Sequence, residues 1–231
     1  MRRAPVLAAA LCTALAGPLA ADERPIVVEL YTSQGCSSCP PADRMLRELG
    51  EDADVIPLAL HVDYWDYIGW KDSFAQPRFT ARQKGYARAA GRSSIYTPQM
   101  VVNGTDDIVG NRPKDLKRTV AQHRARTTPV EIEVERRGEV LHLSLETETP
   151  VAASKIYLVR YAPSETVAIR RGENAGRKIE YTHIVTDWDV IGHWDGASAH
   201  HAEIAIEGDA PAVVLVQVEG YGEVLAAARL R

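Results

Sequence analysis

The chain is poor in cysteine: of 231 residues only Cys12, Cys36 and Cys39 are of that type. Secreted domains that depend on disulfides for stability carry several, so this is not a disulfide-built scaffold. Long apolar runs are missing as well. Beyond residue 21 nothing approaches the eighteen uninterrupted apolar residues of a membrane span, and no stable membrane insertion is expected. Basic residues hold no surplus, since the formal net charge is −4. That excludes the electrostatic footprint of a nucleic-acid binder. Repeats and low-complexity tracts are absent too, and apolar content is ordinary for a globular protein.

What is present begins with an export-like start. Arg2 and Arg3 precede an apolar, alanine-rich run from Pro5 to Leu19, and small residues Ala20 and Ala21 precede a polar stretch from Asp22. Residues 1–21 are therefore expected to be a signal peptide, and the mature protein to be periplasmic or secreted. Removing Arg2 and Arg3 leaves 25 basic against 31 acidic residues, a mature charge of −6. Cys12 leaves with them, so Cys36 and Cys39 become the only mature thiols.

Pro25 to Tyr31 is a β-branched run with little alternation, as expected of a strand covered on both faces. A loop through Thr32-Ser33-Gln34-Gly35 leads to the cysteines and a helix. Pro40 and Pro41 suit its first turn, Met45, Leu46 and Leu49 follow at helical spacing, and Gly50 can end it. Val55 to Val62 is a second strand, so the order implies a right-handed parallel crossover. Asp72 to Ala90 is helix-compatible, with a break or kink at Pro77. After Thr97-Pro98 comes a strand, and Asn103-Gly104 is a strong hairpin signal. Asn111 can cap a helix from about Pro113 to Arg124, with Leu116, Val120 and His123 on one face. Past Thr127-Thr128-Pro129 the texture changes to seven or eight short strands, beginning with the alternating Val130 to Glu135. The reading is two domains, 22–127 and 128–231, the second an all-β, sandwich-like one.

Cys36 and Cys39 carry the chemistry. A disulfide between them closes too short a loop to restrict the unfolded chain much, so the pair is better placed as a reactive group than as a staple. The positive end of the helix dipole and its unpaired N–H groups favour a thiolate. Cys36 is then the nucleophile and Cys39 the resolving thiol of a mixed disulfide. Such exchange needs no cofactor. Its partners are protein thiols or disulfides and a redox partner that resets the pair. Thr97-Pro98 is the second element, although most X-Pro bonds are trans and a proline before a strand is often only a rigid turn.

Taken together, the dithiol after a strand, the crossover, Thr97-Pro98 and the hairpin-helix ending resemble the thioredoxin fold over Pro25 to about Arg126. That resemblance implies a cis-proline loop facing the cysteines, and it gives Cys36, Cys39, Thr97 and Pro98 the family's site roles. The fold class expected is thus an α/β thioredoxin-like domain followed by an all-β sandwich-like domain. More closely, Glu29 to Asp43, His61-Val62-Asp63-Tyr64-Trp65-Asp66 and Thr97-Pro98-Gln99 resemble a family of uncharacterised exported bacterial proteins, which supplies no substrate.

Other residues compete for attention. His61 and Asp63 share a strand face and could pass protons to the dithiol, or merely end a strand. Trp65, Tyr67 and Trp70 could form an apolar lip or pack on their own domain. The 172–177 loop and His193, His200 and His201 are either sites or polar turns. The leading expectation is an exported thiol-disulfide oxidoreductase. Its rivals are a soft-metal (copper) carrier using the two thiolates, for which Met45 and Met100 are meagre support, and a structural envelope protein with an inactive dithiol.

Overall fold

The computed structural model describes residues 24–230; the expected signal peptide lies outside the described residues. Strand β1 (Ile26–Thr32) is buried along its whole length, as its unalternating apolar pattern requires. Helix α1 (Pro40–Leu49) starts with its two prolines in the first turn, with Cys39 as N-cap and Gly50 as C-cap. It returns the chain to β2 (Val55–His61), parallel to β1 in register Ile26↔Val55 through Thr32↔His61. A short 3-10 turn at Asp66–Ile68 follows. Helix α2 (Pro77–Ala89) begins at Pro77 rather than breaking there, because the first helical turn has no use for the missing N–H.

Strands β3 (Gln99–Val102) and β4 (Asp106–Val109) form the expected hairpin, with Asn103 and Gly104 both at positive φ (43° and 74°). Helix α3 (Pro113–Arg124) buries Leu116, Val120 and His123 as its spacing predicts. Its N-cap is Arg112, not Asn111, and no side chain caps it.

The second half departs from expectation. It contains β5 (Val130–Arg137), β6 (Val140–Thr147), β7 (Ser154–Ala168), β8 (Lys178–Trp194), β9 (His200–Ala205), β10 (Ala212–Val218) and β11 (Val224–Leu230). Strands β7 and β8 run 15 and 17 residues and pair as one long antiparallel hairpin, where several short strands were expected. Strand β8 also lies parallel to β2, at Ala59↔Ile184. One mixed eight-stranded sheet results, in the order β11-β10-β7-β8-β2-β1-β3-β4.

This overturns the expected fold class, an α/β thioredoxin-like domain followed by a separate all-β sandwich-like domain. The protein is mostly β, with three α-helices among the described residues and one large mixed sheet drawing strands from both halves. The physical reason is the outer edge of β2. In an isolated first half it would expose unpaired backbone groups along a mostly apolar strand, and β8 covers that edge instead. Side-chain packing agrees: Val27, Ile56, Leu58 and Phe79 share one buried cluster with Val159, Val185, Val213 and Leu215. On the opposite face of the β1 end, Val28, Leu30 and Met100 pack with Leu46 of α1 and Leu116 and Val120 of α3. A small sheet, β5-β6-β9, covers the β7-β10 end through Leu141, Leu143 and Leu145 against Ile156, Leu158 and Val214.

Candidate functional site

The loop leaving the C-terminal end of β1 carries the cysteines to the start of α1. Two tight turns shape it, with Cys36 N–H donating to Ser33 O at 3.1 Å and Cys39 N–H to Cys36 O at 3.2 Å. Cys36 and Cys39 are joined in a disulfide with Cα atoms 5.4 Å apart. Both residues are fully buried. The helix start is less generous with donors than the sequence implies. Pro40 and Pro41 have none, and the Ala42 and Asp43 N–H groups both bond to Cys39 O. The hydroxyl of the exposed Ser38 lies 3.4 Å from Cys36 Sγ.

The burial comes from two covers. The first is the turn between β7 and β8. Asn174, itself buried, donates from Nδ2 to Gln34 O at 3.0 Å and Cys36 O at 2.9 Å, and Glu173 accepts from Ser37 N–H at 3.2 Å. Arg177 holds the Asn174 side-chain oxygen at 3.1 Å. Gly172 sits at φ 77°, a left-handed conformation that favours glycine, close under the Ile68 side chain. The second cover is the 65–70 segment. Trp70 donates to Gln34 Oε1 at 2.8 Å, and Trp65 donates to Thr97 Oγ1 at 2.8 Å. Trp65 stacks on Tyr67, whose ring is exposed. Gly35 fits beneath Ile68 and Trp65 for want of a Cβ.

Thr97-Pro98 is a cis peptide. Since Tyr31 pairs with Gln99, Pro98 lies beside the end of β1 from which the cysteine loop departs. Trp65 connects Thr97 to that loop. The four predicted site residues therefore gather at one end of the sheet.

Behind the disulfide is a cluster of buried polar groups. Asp43 stands four positions after Cys39 on α1. Helical side chains lean toward the N-terminus, which carries its carboxylate back toward the Cys39 turn. Thr32 Oγ1 donates to Asp43 Oδ1 at 2.8 Å, and Asp43 Oδ2 has no partner. His61 is fully buried at the end of β2, with Nδ1 2.8 Å from Asp72 Oδ2 and Nε2 unpartnered. Its ring packs edge-on against Phe74 and against Tyr181 of β8, whose hydroxyl also lacks a partner.

Burial pushes Asp43 up to about 7, against the opposing pull of His61 and the Thr32 hydrogen bond. Burial also works on Asp72, but His61 and the N–H groups of Gln34 and Phe74 outweigh it and hold that carboxyl below its usual range. Since an ionised Asp72 faces Nδ1, that nitrogen carries the proton, and Nε2 of a neutral ring is an acceptor.

Of the competing residues, His61 joins the site, but its partner is Asp72. Asp63 instead accepts from Thr80 Oγ1 at 2.5 Å. The 172–177 loop is part of the cover. His193 pairs with Glu219, and His201 lies 3.7 Å from Glu146 on the outer face of the small sheet, away from the disulfide. Among the described residues no three His, Cys, Asp or Glu side chains are arranged to hold a metal ion. Sequence reasoning gave no role to Asp43, Asp72 or Tyr181, and it marked Asn174 only as part of the 172–177 loop, as a site or a polar turn. Of the first three, Asp43 had a local signal, its spacing from Cys39 on one helix face.

Fold and site together define a β-rich protein, built on one mixed sheet, with a sealed Cys-x-x-Cys disulfide at a helix start. The chain belongs to the family described as Protein of unknown function (DUF1223), whose model matches residues 27–217. It is similar to the crystal structure of protein AGR_C_4864 from Agrobacterium tumefaciens, with 31% identity and a TM-score of 0.76 over 89% of this chain and 93% of that one. It is also similar in fold to HBP35 of Porphyromonas gingivalis, at 14% identity and a TM-score of 0.61, over 89% of this chain and 74% of that one. No curated protein matches the sequence.

Proposed function

We propose that this is a thiol-disulfide exchange protein of the cell envelope, with Cys36 and Cys39 as its working pair. The observation that carries the reading is the Cys36–Cys39 disulfide at the start of α1. A leader in residues 1–21 would deliver the pair to an oxidising compartment. A partner thiolate attacks Cys36 Sγ, the Cys36–Cys39 bond breaks, and Cys39 leaves as a thiolate. In reverse, Cys39 resolves the mixed disulfide. The helix dipole and the Ser38 hydroxyl support a Cys36 thiolate. Thr97 and Pro98 flank the approach to it, and Trp65 and Tyr67 offer an apolar surface beside it. Full burial of both sulfurs means that exchange requires the Glu173–Asn174 cover to lift.

That same burial favours a second reading, a structural disulfide. Trapping separates the two. Cys39→Ser is expected to accumulate mixed disulfides through Cys36 in cell envelopes and with small disulfides in vitro, above the level of the Cys36→Ser, Cys39→Ser double variant. No accumulation, together with a reduction potential below about −300 mV, would establish the structural reading.

A further inference from the structure

The turn that seals the disulfide is the tip of an arm that outruns the sheet. Strands β7 and β8 pair with each other from Ser154↔Trp194 out to Ala168↔Lys178. Their other neighbours stop much sooner. Strand β10 pairs with β7 only over Ser154 to Arg160, and β2 pairs with β8 only at Ile184. Past Ala162↔Ile184 the hairpin is therefore a two-stranded ribbon with no third strand, running from Ser164 to Thr182. A ribbon of two strands is marginally stable by itself in water, so its position depends on what its side chains and tip touch.

The base of this arm is irregular. The β7–β8 register shifts between Arg160 and Tyr161, and His183 sits at φ 52°, a left-handed conformation that few residues with a Cβ adopt. Tyr181, Thr182 and His183, three consecutive residues of β8, each carry a buried polar atom without a partner. The Tyr181 ring seats on His61, with centroids 5.0 Å apart, and His61 Nε2 is unpartnered as well. Unpaired buried polar atoms are rare, because each costs the desolvation of its group. Four of them at one joint mean that the arm lies down at a cost, which water would relieve if it rose.

We propose that residues 164–182 form a lid that swings about the Tyr161–Ile184 joint, and that this local opening admits a partner thiol to the Cys36–Cys39 disulfide. The inference deepens the exchange reading, on which the purpose of the lid rests, by naming what moves and what holds it. The latch is at the tip, where Asn174 donates to Gln34 O and Cys36 O and Glu173 accepts from Ser37 N–H. Further back Arg47 of α1 pairs with Glu180 at 3.0 Å, an exposed contact of small value. Against these stand the unpaired atoms at the joint, so closed and open positions are balanced by a few groups. Such segments open locally without unfolding the rest of the molecule.

The test is the rate at which dithiothreitol reduces the oxidised full chain under native conditions, quenched by alkylation. That rate follows the fraction of molecules with the lid open. Asn174→Ala loosens the latch and should be reduced about tenfold faster. Tyr181→Phe keeps the ring and removes an unpaired hydroxyl, so it should close the lid more firmly and be reduced about fivefold more slowly. Leu143→Ala, in the core beneath the small sheet, should lower global stability and leave the reduction rate unchanged. An unchanged or faster rate in Tyr181→Phe, or no acceleration in Asn174→Ala, overturns the lid while leaving the exchange reading intact. A rate that rises in Leu143→Ala by the factor its stability falls shows that reduction needs global unfolding, and overturns both. Should Asn174→Ala not fold, Glu173→Ala, which loses only the exposed contact to Ser37, should be reduced about threefold faster. No acceleration there overturns the lid as well.

Discussion

Two buried clusters of charge lie on opposite faces of β1, and they are finished to different degrees. On one face Glu29 receives a bidentate contact from Arg82 at 2.7 and 2.8 Å, with further hydrogen bonds from Tyr31 and Tyr86. Arg82 also donates to Tyr86 and Gln217, and its guanidinium carbon lies 3.8 Å from the Trp188 ring centroid. No buried side-chain N or O atom of Glu29, Arg82, Tyr86 or Gln217 is left unpartnered, although Trp188 Nε1 beside them is. On the other face Asp43, His61 and Tyr181 each leave a polar atom unpaired. The Glu29–Arg82 network joins β1, α2 and β10 across the two halves of the chain. The Asp43, His61 and Tyr181 group is satisfied less fully. Complete polar networks hold structure, while partial ones carry a cost that folding alone does not explain.

The comparison can be broken first at Arg82. Arg82→Met leaves Glu29 charged, buried and alone, and should cost about 3–5 kcal/mol in denaturant unfolding. Adding Glu29→Leu should recover much of that loss, since an apolar pair replaces a charged one. A loss near zero for Arg82→Met would remove the structural role assigned to this cluster.

The second cut is pH. Asp43 titrates near 3.8 in the unfolded chain and near 7 in the fold, so the folded state binds the extra proton between these values. Its contribution to stability is full below about pH 4 and is lost as pH rises through 7. Between pH 5 and 8 the loss is on the order of 3 kcal/mol, and Asp43→Asn should abolish it. Asp72 has the opposite sign. Its lowered carboxyl adds stability above about 3.8 and loses it as pH falls through the folded value. Unfolding at pH 3, 5 and 8 checks both signs, and a wild-type stability rising from pH 5 to 8 would contradict the Asp43 assignment.

The smallest expected effect on stability is at the cover. Asn174→Ala removes two hydrogen bonds to the cysteine loop and should cost about 1–3 kcal/mol. It should also raise the rate of disulfide reduction by dithiothreitol. A variant destabilised but no faster would show that the cover does not govern access.

Much of the first half was legible because its signals are local. Pro40 and Pro41 mark a helix start, Asn103-Gly104 a turn needing two positive φ values, and Leu116, Val120 and His123 a buried helical face. The position of β8 was not legible. Its parallel pairing with β2 joins residues more than a hundred positions apart, and no local pattern records which distant strand will take a free edge. The site divided the same way. Cys36, Cys39 and Thr97-Pro98 stood out by type and spacing, whereas the 172–177 loop stood out only as a site or a polar turn, with nothing to tie Asn174 to the cysteines.

By itself, then, the sequence determined that a Cys-x-x-Cys pair opens a helix directly after a buried strand, because proline placement and apolar runs act over a few residues. Only the tertiary structure decided the rest. It brought His61, Asp72 and Tyr181 around Asp43, and it sealed both sulfurs with a turn lying about 140 residues further along the chain. Burial, and with it the charge state of a carboxyl, depends on the whole packed molecule rather than on any segment of it.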